Sequence, residues 1–288
     1  MPSFLSIVYQ ITQECPLDCE ICLRKYTFRE KPINPEGRRN MVDILKARKL
    51  GRLNVTGGEP TILGDELHKF LIYVHNKQIH TCLTTTGFRL NREKLMQMDG
   101  YVDQMMISFH SVEPSDWQAM YSHRRFATEL YETVMNILEW CKDTSIIMEV
   151  NTVVHRKNIG QITDIGWKLQ QINPNIIWRL DEYYGMGLKE HKRNDFELGC
   201  GEFESISNEI TGKFDRLFRD IHFTSLDQRK TSPGFLITHK GELVTTFDFR
   251  HTSTGFHLLR GAQLPEFKML RDWSEYKKVC RDWGWGDL

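Results

Sequence analysis

No stretch of the sequence approaches the about twenty consecutive apolar residues that a membrane-crossing helix requires. The start, Met1-Pro2-Ser3-Phe4, lacks the basic lead-in and apolar run of a secretory signal. Net charge is also missing: 38 Lys and Arg balance 38 Asp and Glu, so no overall field favours nucleic acid or an anionic membrane as partner. There is no even, evenly spread cysteine set of the kind that forms a disulfide framework. The seven cysteines divide into three crowded between positions 15 and 22 and four scattered ones, Cys82, Cys141, Cys200 and Cys280. Together these absences lead to the expectation of no transmembrane helix, no signal peptide and no disulfide framework. They lead to the expectation of a reducing, cytoplasmic setting. No fixed-period repeat appears either.

What is present is a rhythm. Of 288 residues, 40% are apolar, enough for a sizeable core. Strand-like stretches at 5–12, 53–56, 80–85, 104–110, 145–154 and 176–183 alternate with helix-like stretches at 41–50, 67–75, 91–98, 127–141 and 159–171. Residues 23–39, with Pro32, Pro35 and Gly37, read as loop. Strands alternating with helices argue a parallel sheet with right-handed crossovers. Six such units fall short of the eight of a closed barrel. The expected fold is therefore α/β, a parallel sheet of six βα units over 1–187. Residues 188–288 are expected to form a C-terminal α/β extension that shapes the substrate site. It contains a helix at 203–219, a hairpin turning at Lys240-Gly241 and a helix at 265–283.

Cys15, Cys19 and Cys22 follow the first strand with C-x3-C-x2-C spacing. Three thiols are one short of a local tetrahedral zinc site but suit three irons of a four-iron cubane, leaving the fourth iron open. A zinc knuckle with a distant fourth ligand, or three unrelated core thiols, are the plainer readings. A second motif, Asn54-Val55-Thr56-Gly57-Gly58-Glu59-Pro60, closes the second strand, where glycines let backbone approach a ligand. The two motifs, in this order, resemble those of the radical S-adenosylmethionine (radical SAM) enzymes. Ile21 departs from that pattern, since an aromatic residue usually precedes the third cysteine.

The resemblance implies a [4Fe–4S] cluster on Cys15, Cys19 and Cys22, S-adenosyl-L-methionine as cofactor, and a partial (βα)6 TIM-like barrel over 1–187 that the C-terminal extension closes. It also implies reductive cleavage of that cofactor to a 5′-deoxyadenosyl radical, fed by an electron donor such as flavodoxin or ferredoxin. By the same resemblance, Gly57, Gly58 and Glu59 meet the cofactor's amino group. Ser108 meets its ribose or carboxylate, Asn151 its ribose, and Arg124 or Arg125 its carboxylate. The plain alternatives are a core amide for Asn151 and a solvated basic pair for the arginines. His110 shares a strand face with Ser108 and is a candidate substrate contact or a structural histidine. Arg179, Asp181, Glu182, Tyr183 and Tyr184 crowd the end of the sixth strand as substrate contacts or as a salt-bridged rim. Cys200 could donate hydrogen to a substrate radical or be inert. The Trp283-Gly284-Trp285 tail could cap the site mouth.

No catalytic residue beyond the cofactor ligands can be read. The absence of a cysteine set past the barrel argues against auxiliary clusters. No leader-binding domain is evident, which favours a small-molecule or nucleotide substrate. The Trp178-Arg179 strand end and the Asn173-Pro174 lead-in resemble viperin-type members. A peptide or protein substrate is the alternative, by a peptide maturase or a glycyl-radical activase. A non-catalytic metal-binding regulator is the remote one.

Overall fold

The structure is a computed structural model and describes residues 5–17, 19, 21–22, 32–47, 49–120, 124–183, 195–226, 235–237, 243–245, 249–250 and 257–258. Strands β1 (Leu5–Thr12), β2 (Leu50–Gly57), β3 (His80–Thr85), β4 (Gln104–Ser108), β5 (Ile147–Val154) and β6 (Ile177–Glu182) lie side by side in chain order. All of these pairs are parallel. Helices α1 (Pro35–Lys46), α2 (Asp65–Asn76), α3 (Arg92–Met98), α4 (Pro114–Met120), α5 (Arg124–Trp140) and α6 (Ile162–Ile172) fill the crossovers. Right-handed connection between neighbours taken in order puts every crossover on the same face.

The alternation does not stop at six. Helix α7 (Glu202–Phe214) leads to β7 (Asp220–Thr224), which pairs parallel to β6. On the other flank β8 (Phe235–Ile237) lies parallel to β1, and β9 (Leu243–Thr245) folds back antiparallel on β8. Among the described residues the sheet order is β7-β6-β5-β4-β3-β2-β1-β8-β9, an open α/β sheet, parallel from β7 to β8 with β9 antiparallel at its edge, and not closed into a barrel. The β8–β9 pairing matches the hairpin read from the sequence; its turn, Tyr184, the helix at 265–283, Cys280 and the Trp283–Trp285 tail lie outside the described residues.

The helix side of the sheet is the core. Ile7, Tyr9, Leu53, Val55, Leu83, Met105, Ile107, Val150, Trp178 and Leu180 are all buried there. Tyr9 meets Phe70 of α2 with ring centroids 5.8 Å apart, and Trp178 meets Phe214 of α7 edge-on at 5.8 Å. Strand alternation turns the intervening residues to the opposite face. Register places Ser108 beside Asn151 and Asn151 beside Arg179 in one row. One step further along, Val153 stands beside Asp181.

Two helices differ from expectation. Helix α1 begins at Pro35, not near Met41, with Asn34 accepting from the Gly37 N–H at 2.7 Å. Proline is well placed in a first turn, where its missing N–H has no partner to lose, so the Pro35-Glu36-Gly37 stretch starts a helix instead of breaking one. Helix α4 (Pro114–Met120) was not anticipated; its Trp117 is buried and donates to the Ser111 carbonyl at 2.9 Å. Among the described residues, no helix is long and apolar enough to cross a membrane.

Candidate functional site

The site grows from the junction of β1 and β2. Past Thr12 the chain leaves the sheet, and its first turn is fixed by the Glu14 N–H donating to Thr12 Oγ1 at 3.1 Å. Leu17 is buried and anchors the loop. The Leu17 N–H points to Cys15 Sγ at 3.4 Å, and the Cys22 N–H donates to the Cys19 carbonyl at 3.2 Å. Cys15, Cys19 and Cys22 are half-buried thiols in no disulfide, and Cys15 and Cys19 pack against the edge of the core.

The end of β2 is stitched to this loop. The Gly58 N–H donates to the Thr12 carbonyl at 2.7 Å, and the Glu59 N–H to the Glu14 carbonyl at 2.8 Å. A Cβ on Gly57 would stand 2.3 Å from the Thr12 oxygen, and one on Gly58 2.1 Å from the Glu14 oxygen. Gly57 also has φ +149°, which side chains disfavour. The close approach visible here is therefore to the chain's own cysteine loop. The Glu59 carboxylate is fully buried and points to the end of β3. There it accepts from Thr85 Oγ1 at 2.5 Å, the Thr86 N–H at 2.8 Å and Thr86 Oγ1 at 2.6 Å. It also accepts from the Thr61 N–H at 3.0 Å.

Ser108 and Asn151 are half-buried neighbours on β4 and β5, and Asn151 Oδ1 is a buried acceptor with no hydrogen bond. His110 is buried, and the Val153 N–H donates to its Nδ1 at 3.2 Å. That bond fixes Nδ1 as an acceptor and the ring as neutral. Burial pushes the His110 pKa down to about 4, against an opposing pull from Asp181. Arg179 lies in an ion-pair network, with Nη1 3.1 Å from Glu149 Oε1 and Nε 3.2 Å from Asp181 Oδ1. This is the salt-bridged rim considered from the sequence, and its arginine side chain keeps 34% of its surface exposed. Tyr183 is buried, and its N–H continues the β5–β6 ladder to the Val154 carbonyl at 2.9 Å. Arg124 and Arg125 open α5, but their side chains lie outside the described residues. Cys200 is exposed before α7, distant in sequence from the cysteine loop.

Two features escaped sequence reasoning. One is the set of threonines around Glu59, whose only trace was the run Thr84-Thr85-Thr86 after β3. The other is His155, buried just past β5 with neither ring nitrogen hydrogen-bonded. Phe196 stands edge-on to it at 5.4 Å and Tyr183 at 6.4 Å. Its pKa is pushed down to about 3 by burial first, then by repulsion from His110, once acid protonates that ring, and from Lys157.

The donor chemistry of the loop, three sulfurs and no nitrogen base, suits iron–sulfur ligation. Among the described residues no group of three His, Cys, Asp or Glu side chains is poised to hold a metal ion. A cubane asks for something different, since each thiolate binds its own iron and the sulfurs face a cluster instead of one point.

A family model described as the Radical SAM superfamily matches residues 9–165, from β1 into α6. The PqqA peptide cyclase of Bradyrhizobium diazoefficiens is 25% identical over 189 residues, which is 64% of this chain and 48% of that protein. The S-adenosylmethionine-dependent nucleotide dehydratase RSAD2 of Oncorhynchus mykiss is 26% identical over 179 residues, 58% of this chain and 51% of that protein. Among solved structures, Streptococcus suis SuiB bound to S-adenosylmethionine superposes with a TM-score of 0.68 at 12% identity, covering 93% of this chain and 68% of that one. Native anSMEcpe with bound AdoMet and Cp18Cys peptide gives 0.69 at 13% identity, covering 94% of this chain and 80% of that one. The chain spans about half the length of the curated relatives it matches.

Proposed function

We propose, from the premise that this chain belongs to the radical SAM superfamily, that it is an enzyme working with a [4Fe–4S] cluster and S-adenosyl-L-methionine on a peptide substrate. The observation that carries the reading is the stitched β1–β2 junction, where the Gly58 and Glu59 N–H groups bond to the Thr12 and Glu14 carbonyls directly ahead of Cys15. When bound, these cofactors supply a one-electron reductive cleavage and a radical able to take hydrogen from the substrate.

The chain's own part is placement. Cys15, Cys19 and Cys22 hold iron as thiolates, and Leu17 pins their loop to the core. Gly57 and Gly58 bring the end of β2 against that loop, which sets where a cofactor amino group can lie. Asn151 offers its unpaired Oδ1, beside Ser108, to a ribose hydroxyl. Arg124 or Arg125, at the start of α5, serves the cofactor carboxylate. Neutral His110, with Arg179, Asp181 and Tyr183, lines the substrate side of β4–β6. The electron comes from a donor of the flavodoxin or ferredoxin kind, in a reducing cytoplasmic setting. Residues 188–288 complete the substrate side.

The sequence alone favours a small molecule or nucleotide as substrate. The likeness to PqqA peptide cyclases shifts the weight to a peptide, supported by a fold shared with proteins solved with peptides bound. The nucleotide reading stays as the second, favoured by the likeness to RSAD2.

The test is anaerobic reconstitution with iron and sulfide, then S-adenosylmethionine and a strong reductant, with 5′-deoxyadenosine read by mass spectrometry. Product is expected from the wild type and not from the variant in which Cys15, Cys19 and Cys22 are all alanine. An intact four-iron cluster without product would overturn the enzyme reading in favour of the regulator. Adding precursor-type peptides or nucleoside triphosphates separates the substrates: the peptide reading requires that peptide, not nucleotide, raise the rate.

A further inference from the structure

Glu59 has its capacity for hydrogen bonds filled by the protein. An ionised carboxylate offers about four acceptor sites. The Thr61 N–H and Thr85 hydroxyl take Oε1, at 3.0 and 2.5 Å, and the Thr86 N–H and hydroxyl take Oε2, at 2.8 and 2.6 Å. The Thr61 hydroxyl, 2.7 Å from Oε1 and also hydrogen-bonded to the Phe88 carbonyl, has a proton for one of the two. The Thr85 hydroxyl oxygen in turn accepts from the Gly87 N–H at 3.0 Å, which leaves its proton for Glu59. With the carboxylate wholly buried, a ligand ammonium would have to displace a threonine to reach it.

The two halves of this residue face different neighbours. Its N–H is tied to Glu14, one residue before Cys15, while its side chain is tied to the end of β3. We propose that Glu59 serves S-adenosylmethionine as a positioning residue instead of a contact, and that Thr85 and Thr86 act through it. They fix the backbone of Gly57–Glu59 against the cysteine loop, so that the cofactor meets a turn already in place. This rests on the reading that the cofactor binds at this junction.

The experiment measures S-adenosylmethionine affinity of the reconstituted, unreduced protein by equilibrium dialysis, well below the melting temperature. Thr85→Val and Thr86→Val each remove donors to Glu59 while its carboxylate stays. Each is expected to weaken binding by about five- to tenfold with iron content retained, and Thr85→Ser and Thr86→Ser are expected to restore it. A merely structural threonine would lower the melting temperature without moving affinity measured on the folded protein. Wild-type affinity in both valine variants, or serine variants as weak as the valine ones, would overturn the proposal.

A measurement on the wild type alone stands if a variant fails to fold. Amide exchange at Thr86 is expected to be slow and unchanged when the cofactor is added. Faster exchange on binding would mean that the ligand takes the carboxylate, and the proposal would be wrong. If the wild type bound no S-adenosylmethionine at all, the functional reading itself would fall and this inference with it; a cofactor-binding wild type with unaffected valine variants removes this inference alone.

Discussion

Replacing Gly58 by alanine would set a methyl group 2.1 Å from the Glu14 carbonyl oxygen, a backbone atom that cannot rotate aside. Either the end of β2 or the cysteine loop must move. A forced backbone shift of this kind costs about 3 kcal/mol. The expected outcome for Gly58→Ala is a lowered melting temperature together with reduced iron per chain after reconstitution, because the displaced residue adjoins Cys15. Full iron loading at wild-type stability would show that the loop does not depend on this approach. Glu59→Gln probes the other side of the same turn. Glutamine has a single carbonyl oxygen and brings two N–H donors to a place where four donors already converge. A loss of about 2–4 kcal/mol is expected in a denaturant titration, and an unchanged midpoint would contradict the hydrogen-bond assignment.

At the scale of elements, α1 couples the outer layer to the site. Asn34 caps it, and Arg38, buried three residues inside, pairs with Glu66 of α2 and donates from Nη2 to the Ile11 carbonyl at 3.3 Å. Asn34→Ala is expected to cost about 1 kcal/mol in unfolding free energy, read by chemical denaturation. Much of this layer was legible in sequence. The β1–β6 alternation follows from apolar runs bounded by turns, and Asn91 caps α3 as read, accepting from the Lys94 N–H at 2.9 Å. What sequence hid was positional or long-range. Pro35 and Gly37 look like breakers until their place in a first turn is known. Strand β7 is a five-residue stretch, Asp-Ile-His-Phe-Thr, whose role is set by β6 beside it. The Glu59 ties span 26 and 27 residues, so a motif that reads as ligand-facing proves to have a side chain spent on β3. The cysteine loop was legible because its three cysteines lie within eight residues.

For the molecule as a whole, the face of the sheet turned from the helices carries a cost that pH reveals. His110 and His155 are buried and neutral, with pKa values near 4 and 3 against about 6.5 for a free imidazole. Below pH 6.5 the unfolded chain takes up these two protons while the folded chain does not, down to about pH 4 for His110 and about pH 3 for His155. The unfolded state then binds more protons, so stability rises with pH across this window and is fully present above it. Each histidine should contribute a slope of about 1.4 kcal/mol per pH unit. His155→Phe removes a ring whose nitrogens have no partner, so stability at pH 7 should hold or rise. His110→Asn keeps an acceptor for the Val153 N–H. Denaturant titrations from pH 7 to pH 4.5 should show each variant losing about one histidine's share of the acid slope, and the double variant about twice that. If the variants kept the wild-type slope, the two rings would not be the neutral, buried groups described, and carboxylates elsewhere would have to carry the acid sensitivity.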